Sequence, residues 1–357
     1  MFIITIRKFN QNVNFILYFE FTRKLIRGIN FFIMNMKLKV LEIIEENKGH
    51  FISGEDIARS LAITRAAVWK NIKELQNLGY VIQAVPHKGY SLANFNDVLS
   101  KESIEKNLLN NSKISEVIYL DSIDSTNNYA KKNSFEHGTL IVAGQQTAGR
   151  GRFGHTFESP PRGGLYMSLV LRPRIEISKF QMITIADAVA VCLAIEDLYE
   201  SSKENLKIKW VNDVFFHDKK IAGILTEAVT NFESGEIERV VTGIGVNVST
   251  KSFNNEIAGS IFDDKSEFLF SRSQLCARIA DYIMNFAEDL SSPQLINLYR
   301  QRSLLKSGSK ITYMKDNEKF SATVKAIDDL GGLMIINDDG KEEILRSGEV
   351  NTVRSEK

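Results

Sequence analysis

The apolar period of this sequence changes twice, and no single layer of secondary structure can satisfy all three patterns. From Lys37 to about Leu78 the apolar residues recur at helical spacing. From Val117 onward short apolar runs alternate with helix-length segments, and from about Ser303 only short runs remain, broken by Asp316-Asn317, Gly331-Gly332 and Asp339-Gly340. Helices bury a stripe and strands bury a face, so a change of period marks a change of architecture. A chain of 357 residues exceeds the usual size of one domain. The expected division is therefore an extension over 1–35, then domains over 36–95, 96–302 and 303–357.

The first domain reads in detail. Leu38, Leu41, Ile43 and Ile44 form one apolar face, and Ser53 caps a short helix carrying Ile57, Ala58 and Leu61. After the turn Ala62-Ile63-Thr64, Thr64 caps a second helix whose Val68, Ile72 and Leu75 lie on one side, with Gly79 as its stop. Tyr80-Val81-Ile82 and Gly89-Tyr90-Ser91-Leu92 then read as strands around a turn containing Lys88. This order resembles a winged helix-turn-helix DNA-binding domain. Opposite the packing side, Arg65, Ala66, Trp69, Lys70 and Lys73, with Lys88 on the wing, form a set suited to phosphates and base edges. The same set also fits a solvated basic helix, and Trp69 alone reads equally as a packed aromatic. With 45 basic against 44 acidic residues, any nucleic-acid surface must be such a local patch.

In the second domain the pattern predicts strands at Val117–Leu120, Thr139–Ala143, Gly164–Leu171, Lys207–Trp210, Ile221–Thr226 and Val240–Val248. Helices are predicted from Thr126 and over Met182–Leu198. This is a mixed α/β sheet with packed helices. Leu165, Met167, Leu169 and Leu171 alternate with Tyr166, Ser168 and Val170, which predicts one more buried sheet face. Asn94 to about Lys113 is polar and reads as a linker into a short helix. Four short strands within Lys310–Leu345 suggest a small SH3-like β-barrel. Cys192 and Cys276 fit no metal-ligand spacing and read as buried, reduced thiols.

Gln146-Thr147-Ala148-Gly149-Arg150-Gly151-Arg152-Phe153-Gly154 is the most informative stretch. Its glycines let backbone amides approach an anion, and Arg150 and Arg152 add guanidinium forks for carboxylate or phosphate. By itself it is also readable as a mobile basic loop. Lys209-Trp210-Val211-Asn212-Asp213 and Lys219-Lys220-Ile221-Ala222-Gly223 place groups of opposite charge at neighbouring strand ends, which an ordinary hairpin would do as well. There is no Walker loop and no Gly-x-Gly-x-x-Gly fingerprint after a first strand.

Taken with Asp124-Ser125-Thr126-Asn127 and Gly243-Ile244-Gly245-Val246-Asn247, these motifs stand in an order that resembles the bacterial bifunctional biotin protein ligase and biotin operon repressor family, from about Met36 to the C-terminus. The resemblance implies an α+β chain: winged helix-turn-helix, mixed α/β ligase domain and SH3-like barrel. It implies ATP-dependent formation of biotinyl-AMP, with Mg²⁺, and transfer of biotin to a lysine of the biotin carboxyl carrier protein of acetyl-CoA carboxylase. It implies biotin contacts from Ser125, Thr126, Asn127, Gln146, Gly149, Arg150, Gly151, Arg152 and Lys220. Nucleotide contacts fall to Arg152, Phe157, Lys209, Asn212 and Asn247. The catalytic group is Lys220, Arg150, Arg152 and Asp213, the last as a base or as a structural carboxylate, and no protein-held metal site is expected. It further implies a homodimer that binds operator DNA when loaded with biotinyl-AMP. A ligase with a vestigial DNA domain, a pure biotin sensor and a lipoate ligase are the rivals. Val211 stands where many members have Pro, and Phe157 where many have Trp.

Residues 1–35 have no counterpart in that resemblance. Their longest uncharged run, Phe9–Phe19, is interrupted by Asn10, Gln11, Asn12 and Asn14 and is shorter than the ~20 apolar residues a spanning helix needs. No cleavage site follows an apolar run, so a cytoplasmic protein with no membrane partner is expected. The reading is that translation starts at Met34 or Met36. Intact mass of the natively expressed protein checks it, and a mass that includes Met1 overturns it.

Overall fold

The computed structural model describes residues 36–77, 79–93, 96–173, 175–230, 237–263, 269–315 and 318–352. The extension over 1–35, Leu78, Asn94 and the Asp316-Asn317 turn lie outside them. Contacts divide the chain into two compact units, one ending at Val98 and one beginning at Leu99.

In the first unit, residues 36–46 form helix α1, followed by α2 (Gly54–Leu61), α3 (Arg65–Asn77) and the antiparallel strands β1 (Ile82–Val85) and β2 (Gly89–Leu92). Ser53 caps α2 by accepting from the Asp56 amide, a bond whose loss typically costs about 1 kcal/mol. Ala62 takes the left-handed conformation that ends α2. Thr64 Oγ1 accepts from the Ala67 amide at 3.1 Å and so starts α3. Ile44, Ile57, Val68, Ile72, Leu75 and Ile82 close into one apolar core. The wing begins at Ile82, later than the sequence pattern implied.

The second unit begins with α4 (Lys101–Asn107), inside the segment read as a linker; its Ile104 is fully buried. The central sheet has seven strands: β3 (Glu116–Leu120), β4 (Thr139–Ala143), β5 (Gly164–Leu171), β6 (Leu206–Lys209), β7 (Asp213–Phe216), β8 (Lys219–Thr230) and β9 (Ile237–Asn247). Their order is β3-β4-β5-β9-β8-β7-β6, and only β3 and β4 run parallel. Helix α5 (Thr126–Lys132) packs on one face through Ala130, against Ile141, Val170 and Val241. The other face carries α6 (Phe180–Leu198), α7 (Arg272–Phe286) and α8 (Pro293–Arg302).

Two features differ from the sequence pattern. All eight residues of β5 are buried, so the alternation did not signal a wetter face; helices and the α5 loop cover both sides. Helices α7 and α8 were not foreseen, although Ser271 and Gln274 form a reciprocal capping box at the start of α7. Cys192 and Cys276 are free and buried.

Strands β10 (Lys310–Lys315), β11 (Glu318–Ile327), β12 (Leu333–Asn337), β13 (Glu342–Leu345) and β14 (Val350–Thr352) form an antiparallel sheet ordered β13-β12-β11-β10-β14. It is joined to the central domain by shared core, with Ile311, Val324 and Ile335 in the same apolar cluster as α6. Trp210 Nε1 and Gln181 Nε2 both donate to the Gly331 carbonyl, at 2.9 and 2.8 Å. Ile177–Leu198, which contains α6, is apolar and long enough to cross a membrane, but two thirds of it (67%) is buried inside this core.

Asp187 lies on α6 with no exposure, accepting from the Thr242 and Thr226 hydroxyls through Oδ2, while Oδ1 has no partner. Burial pushes its carboxyl up to about 7, against the pull of the two hydroxyls. An unfolded Asp ionises near pH ~3.9. Between these values the folded state holds a proton that the unfolded state has released, so this group's contribution to stability falls from about pH 4 to about pH 7 and is level above. Asp187→Asn removes that dependence. The urea midpoint of the native protein relative to the variant is expected to drop between pH 4.5 and 7.5, and a constant difference refutes the assignment.

Candidate active site

The site is built on the pairing of β8 with β9. Their register sets Gly223 opposite Gly245 and Leu225 opposite Gly243. A Cβ at Gly245 would lie 2.4 Å from the Phe157 ring, and one at Gly243 would lie 2.1 Å from Asn127 Oδ1. Both distances are below any real contact, so these glycines admit the two side chains that meet the strands from above. Phe157 follows the glycine-arginine loop, and Asn127 lies in the first turn of α5 behind the Ser125 cap. The loop thus comes back onto the floor of the sheet.

A cavity of about 400 Å³ lies there. Ser125, Thr126, Asn127 and Gln146 line one end. Arg150, Gly151, Arg152 and Phe157 come from the loop, and Lys209, Asn212, Asp213 and Lys220 from the β6–β8 hairpins. Gly149 and Asn247 are not part of the lining. Gly149 packs against the Phe157 carbonyl and the Ser159 hydroxyl, and Asn247 is buried at the end of β9 opposite Gly164.

The polar end is tightly wired. Gln146 Oε1 accepts from the Thr126 amide at 2.8 Å, and its Nε2 donates to Ser159 Oγ at 2.9 Å. Asn127 Nδ2 donates to the Leu225 carbonyl and to Glu227 Oε2, each at 3.0 Å. Glu227 also pairs with Lys131 at 2.6 Å and with Arg150 at 3.2 Å. Burial works against its charge, but the bonds from Lys131 and Asn127 outweigh this and hold its carboxyl below the ordinary value.

The opposite end is cationic. Lys220 Nζ is 2.8 Å from Asp213 Oδ1, and the Lys220 backbone is fixed on both sides by the Ile257 carbonyl and the Gly259 amide. Arg152 donates to Asn212 Oδ1 at 3.0 Å and lies over the Phe153 ring. Burial pushes its guanidinium below the ordinary value, while Asp213 and Glu349 pull it back. Lys209 donates to Asn351 at 3.0 Å, and His155 Nε2 is 2.8 Å from Glu349 Oε1.

The C-terminal sheet therefore supplies part of the wall, which no motif in the sequence signals. Glu227 and Ser168 were also missed: Glu227 lies inside β8, just past the predicted strand Ile221–Thr226, and Ser168 reads as an ordinary strand residue. The spacing Gly243-x-Gly245, quoted only as a motif, was the available sign of a strand face kept clear.

In the first unit Arg65, Ala66, Lys70, Lys73 and Lys88 are exposed, and Trp69 is 56% exposed, so Trp69 is not a core residue.

Comparison with known proteins agrees with this layout. Residues 119–247 match the biotin/lipoate A/B protein ligase family, and residues 37–91 match an HTH domain. The bifunctional ligase/repressor BirA of Bacillus spizizenii is 38% identical over 220 residues, 61% of this chain and 66% of that protein. That of Bacillus subtilis is 38% identical over 217 residues, so the chain spans just under two thirds of each Bacillus relative's length. The BirA of Escherichia coli is 28% identical over 328 residues, covering 90% of this chain and 98% of its own. The solved biotin protein ligase of Aquifex aeolicus in complex with biotin and ATP matches 68% of this chain and 100% of its own, with TM-score 0.54 and 26% identity. The chain thus carries a domain similar to the biotin/lipoate A/B protein ligase family over residues 119–247, preceded by a match to an HTH domain over residues 37–91.

Proposed function

We propose that this chain is an ATP-dependent biotin protein ligase that forms biotinyl-AMP, transfers biotin to a lysine of a biotin carboxyl carrier protein, and represses transcription when loaded with the adenylate. The observation that carries the reading is a cavity in which a wired polar end faces Lys220 and Arg152 across one sheet floor. The polar end suits a neutral group rich in N–H and C=O, and the cationic end suits a carboxylate and a phosphate. The named activities of the full-length Escherichia coli relative and of the Bacillus relatives support it.

A carboxylate is a poor electrophile. In the first half-reaction a biotin carboxylate oxygen attacks the α-phosphorus of ATP, the bond to the β-phosphate oxygen breaks, and pyrophosphate leaves. Lys220 and the loop arginines hold the negative charge at that centre, in positions fixed before the reaction. In the second half-reaction a neutral carrier-lysine amine attacks the acyl carbon, AMP leaves, and the amine's proton passes to a base. Asp213, on the cavity wall, is the group placed to take it or to align the amine. Among the described residues no cluster of three His, Cys, Asp or Glu side chains could hold a metal, and the cavity carboxylates Asp213 and Glu349 are paired with Lys220 and His155. A resident metal does not fit that donor set; Mg²⁺ belongs with the triphosphate, as part of the substrate.

The exposed row Arg65, Lys70 and Lys73, with Trp69, is the surface we assign to operator DNA. A homodimer of the adenylate-loaded form would present two such helices to a two-fold operator. Both carrier and operator place the protein in the cytoplasm.

Biotin-dependent ATP/pyrophosphate exchange, with lipoate as competitor, tests the activity. Lys220→Ala is expected to lower exchange by about 10²- to 10³-fold, and full activity in that variant removes Lys220 from the mechanism. Arg152→Gly is expected to keep measurable exchange but to release biotinyl-AMP sooner; equal adenylate lifetimes refute a role for Arg152 in retaining the intermediate. A gel shift on the chain's own operator, with biotin and ATP, is expected to be lost in Lys70→Ala/Lys73→Ala with exchange intact. Absence of any shift with the native protein leaves a ligase with a vestigial DNA domain.

A further inference from the structure

Ser168, on β5, is fully buried, and its hydroxyl oxygen lies 2.6 Å from Asn127 Oδ1 and 2.7 Å from Thr126 Oγ1. A hydroxyl has one proton, so only one of these contacts can be its donation. The neighbouring groups decide which. Glu227 and the Leu225 carbonyl are both acceptors, and both face the Asn127 amide nitrogen. Asn127 Oδ1 is thereby turned toward Ser168, and it can only accept. The Ser168 proton goes to Asn127.

The 2.7 Å contact between the two hydroxyls then requires the Thr126 proton, because two bare oxygens at that distance repel. Gln146 Oε1, at 3.1 Å from Thr126 Oγ1, is the longer alternative and is already served by the Thr126 amide. Thr126 thus donates to Ser168, and its oxygen, beside Gln146 Oε1, meets a cavity ligand as an acceptor. The two oxygens form a paired acceptor for one N–H.

We propose that Glu227 is a positioning residue that fixes, through Asn127 and Ser168, the direction of this hydrogen-bond chain, so that Thr126 accepts from a ligand N–H. The inference rests on the ligase reading above, in which that N–H belongs to the ureido ring of biotin. It assigns to Glu227 and Ser168, neither of which touches the ligand, the selection of a donor over an acceptor at that point. Lys131 and Arg150, which also face Glu227, keep the carboxylate ionised but do not enter the chain.

Calorimetric titration of biotin into the full-length native protein, Glu227→Gln, Ser168→Ala and the double variant tests it. Each single change is expected to weaken binding about tenfold. The double variant is expected to be no weaker than either, because both cut one chain. Lys131→Met, which removes a charge on Glu227 and leaves the chain, is expected to bind within about twofold of native. Effects that multiply in the double variant overturn the proposal, as does a loss in Lys131→Met equal to that in Glu227→Gln. If Ser168→Ala does not fold, Ser168→Cys takes its place, a weak donor expected to give a smaller loss coupled in the same way. Native protein that fails to bind biotin overturns both this inference and the ligase reading; native binding without coupling overturns this one alone.

Discussion

The pairing of β8 with β9 is the constraint on which the rest of the site depends. Because side chains alternate along a strand, a slip of one residue would send Gly243 and Gly245 to the opposite face and put Ile244 beneath Phe157. The loop could not then close onto the sheet, and Asn127 could not reach Leu225 and Glu227. The register is held from behind by the apolar residues that β8 and β9 bury against α6, among them Ile224, Ile244 and Val246. Core packing on one face thus sets the clearance on the other.

Among the described residues each Arg and Lys of the cavity wall has a partner: Arg150 is held by Glu227, Arg152 by Asn212, Lys209 by Asn351 and Lys220 by Asp213. An anion that enters exchanges one partner for another. Its affinity is therefore a difference between two sets of charge-assisted bonds, while the geometry of the cations is set in advance. Specificity then rests more on the polar end, where Asn127, Gln146 and Ser168 have committed their donors and acceptors and cannot adapt to the wrong ligand.

How much of this was legible in the sequence follows from the range of each interaction. Helices α2 and α3 were readable because their caps and apolar faces are local, and β4 and β5 because an apolar run bounded by glycine, Gly144 after β4 and Gly163-Gly164 at the start of β5, is local too. The loop residues Arg150 and Arg152 and the pair Asp213 and Lys220 were nameable through the resemblance that the order of their motifs carries, since spacing alone left a mobile loop and an ordinary hairpin open. Glu227, Ser168 and Glu349 were not, since each acquires its partner across 41 to 194 positions of chain through sheet order or the docking of the C-terminal sheet. The full burial of β5 was misjudged for the same reason: alternation along one strand does not reveal that a helix and a loop cover the second face.

The Asp213–Lys220 pair links the two halves of the proposed reaction. At 2.8 Å the carboxylate compensates the ammonium, and both groups are largely shielded, with side-chain exposures of 20% and 32%. In the proposed reaction the acyl phosphate would take Lys220 as its counter-ion, and the Asp213 carboxylate would then be left to face the carrier amine. The attacking amine must shed a proton at that stage and not earlier. One ion pair would thus serve both halves in order, Lys220 at the anhydride and Asp213 at the amine, because the first partner is engaged only when the intermediate is present. Before adenylation the same carboxylate holds the Lys220 side chain in place for the first step.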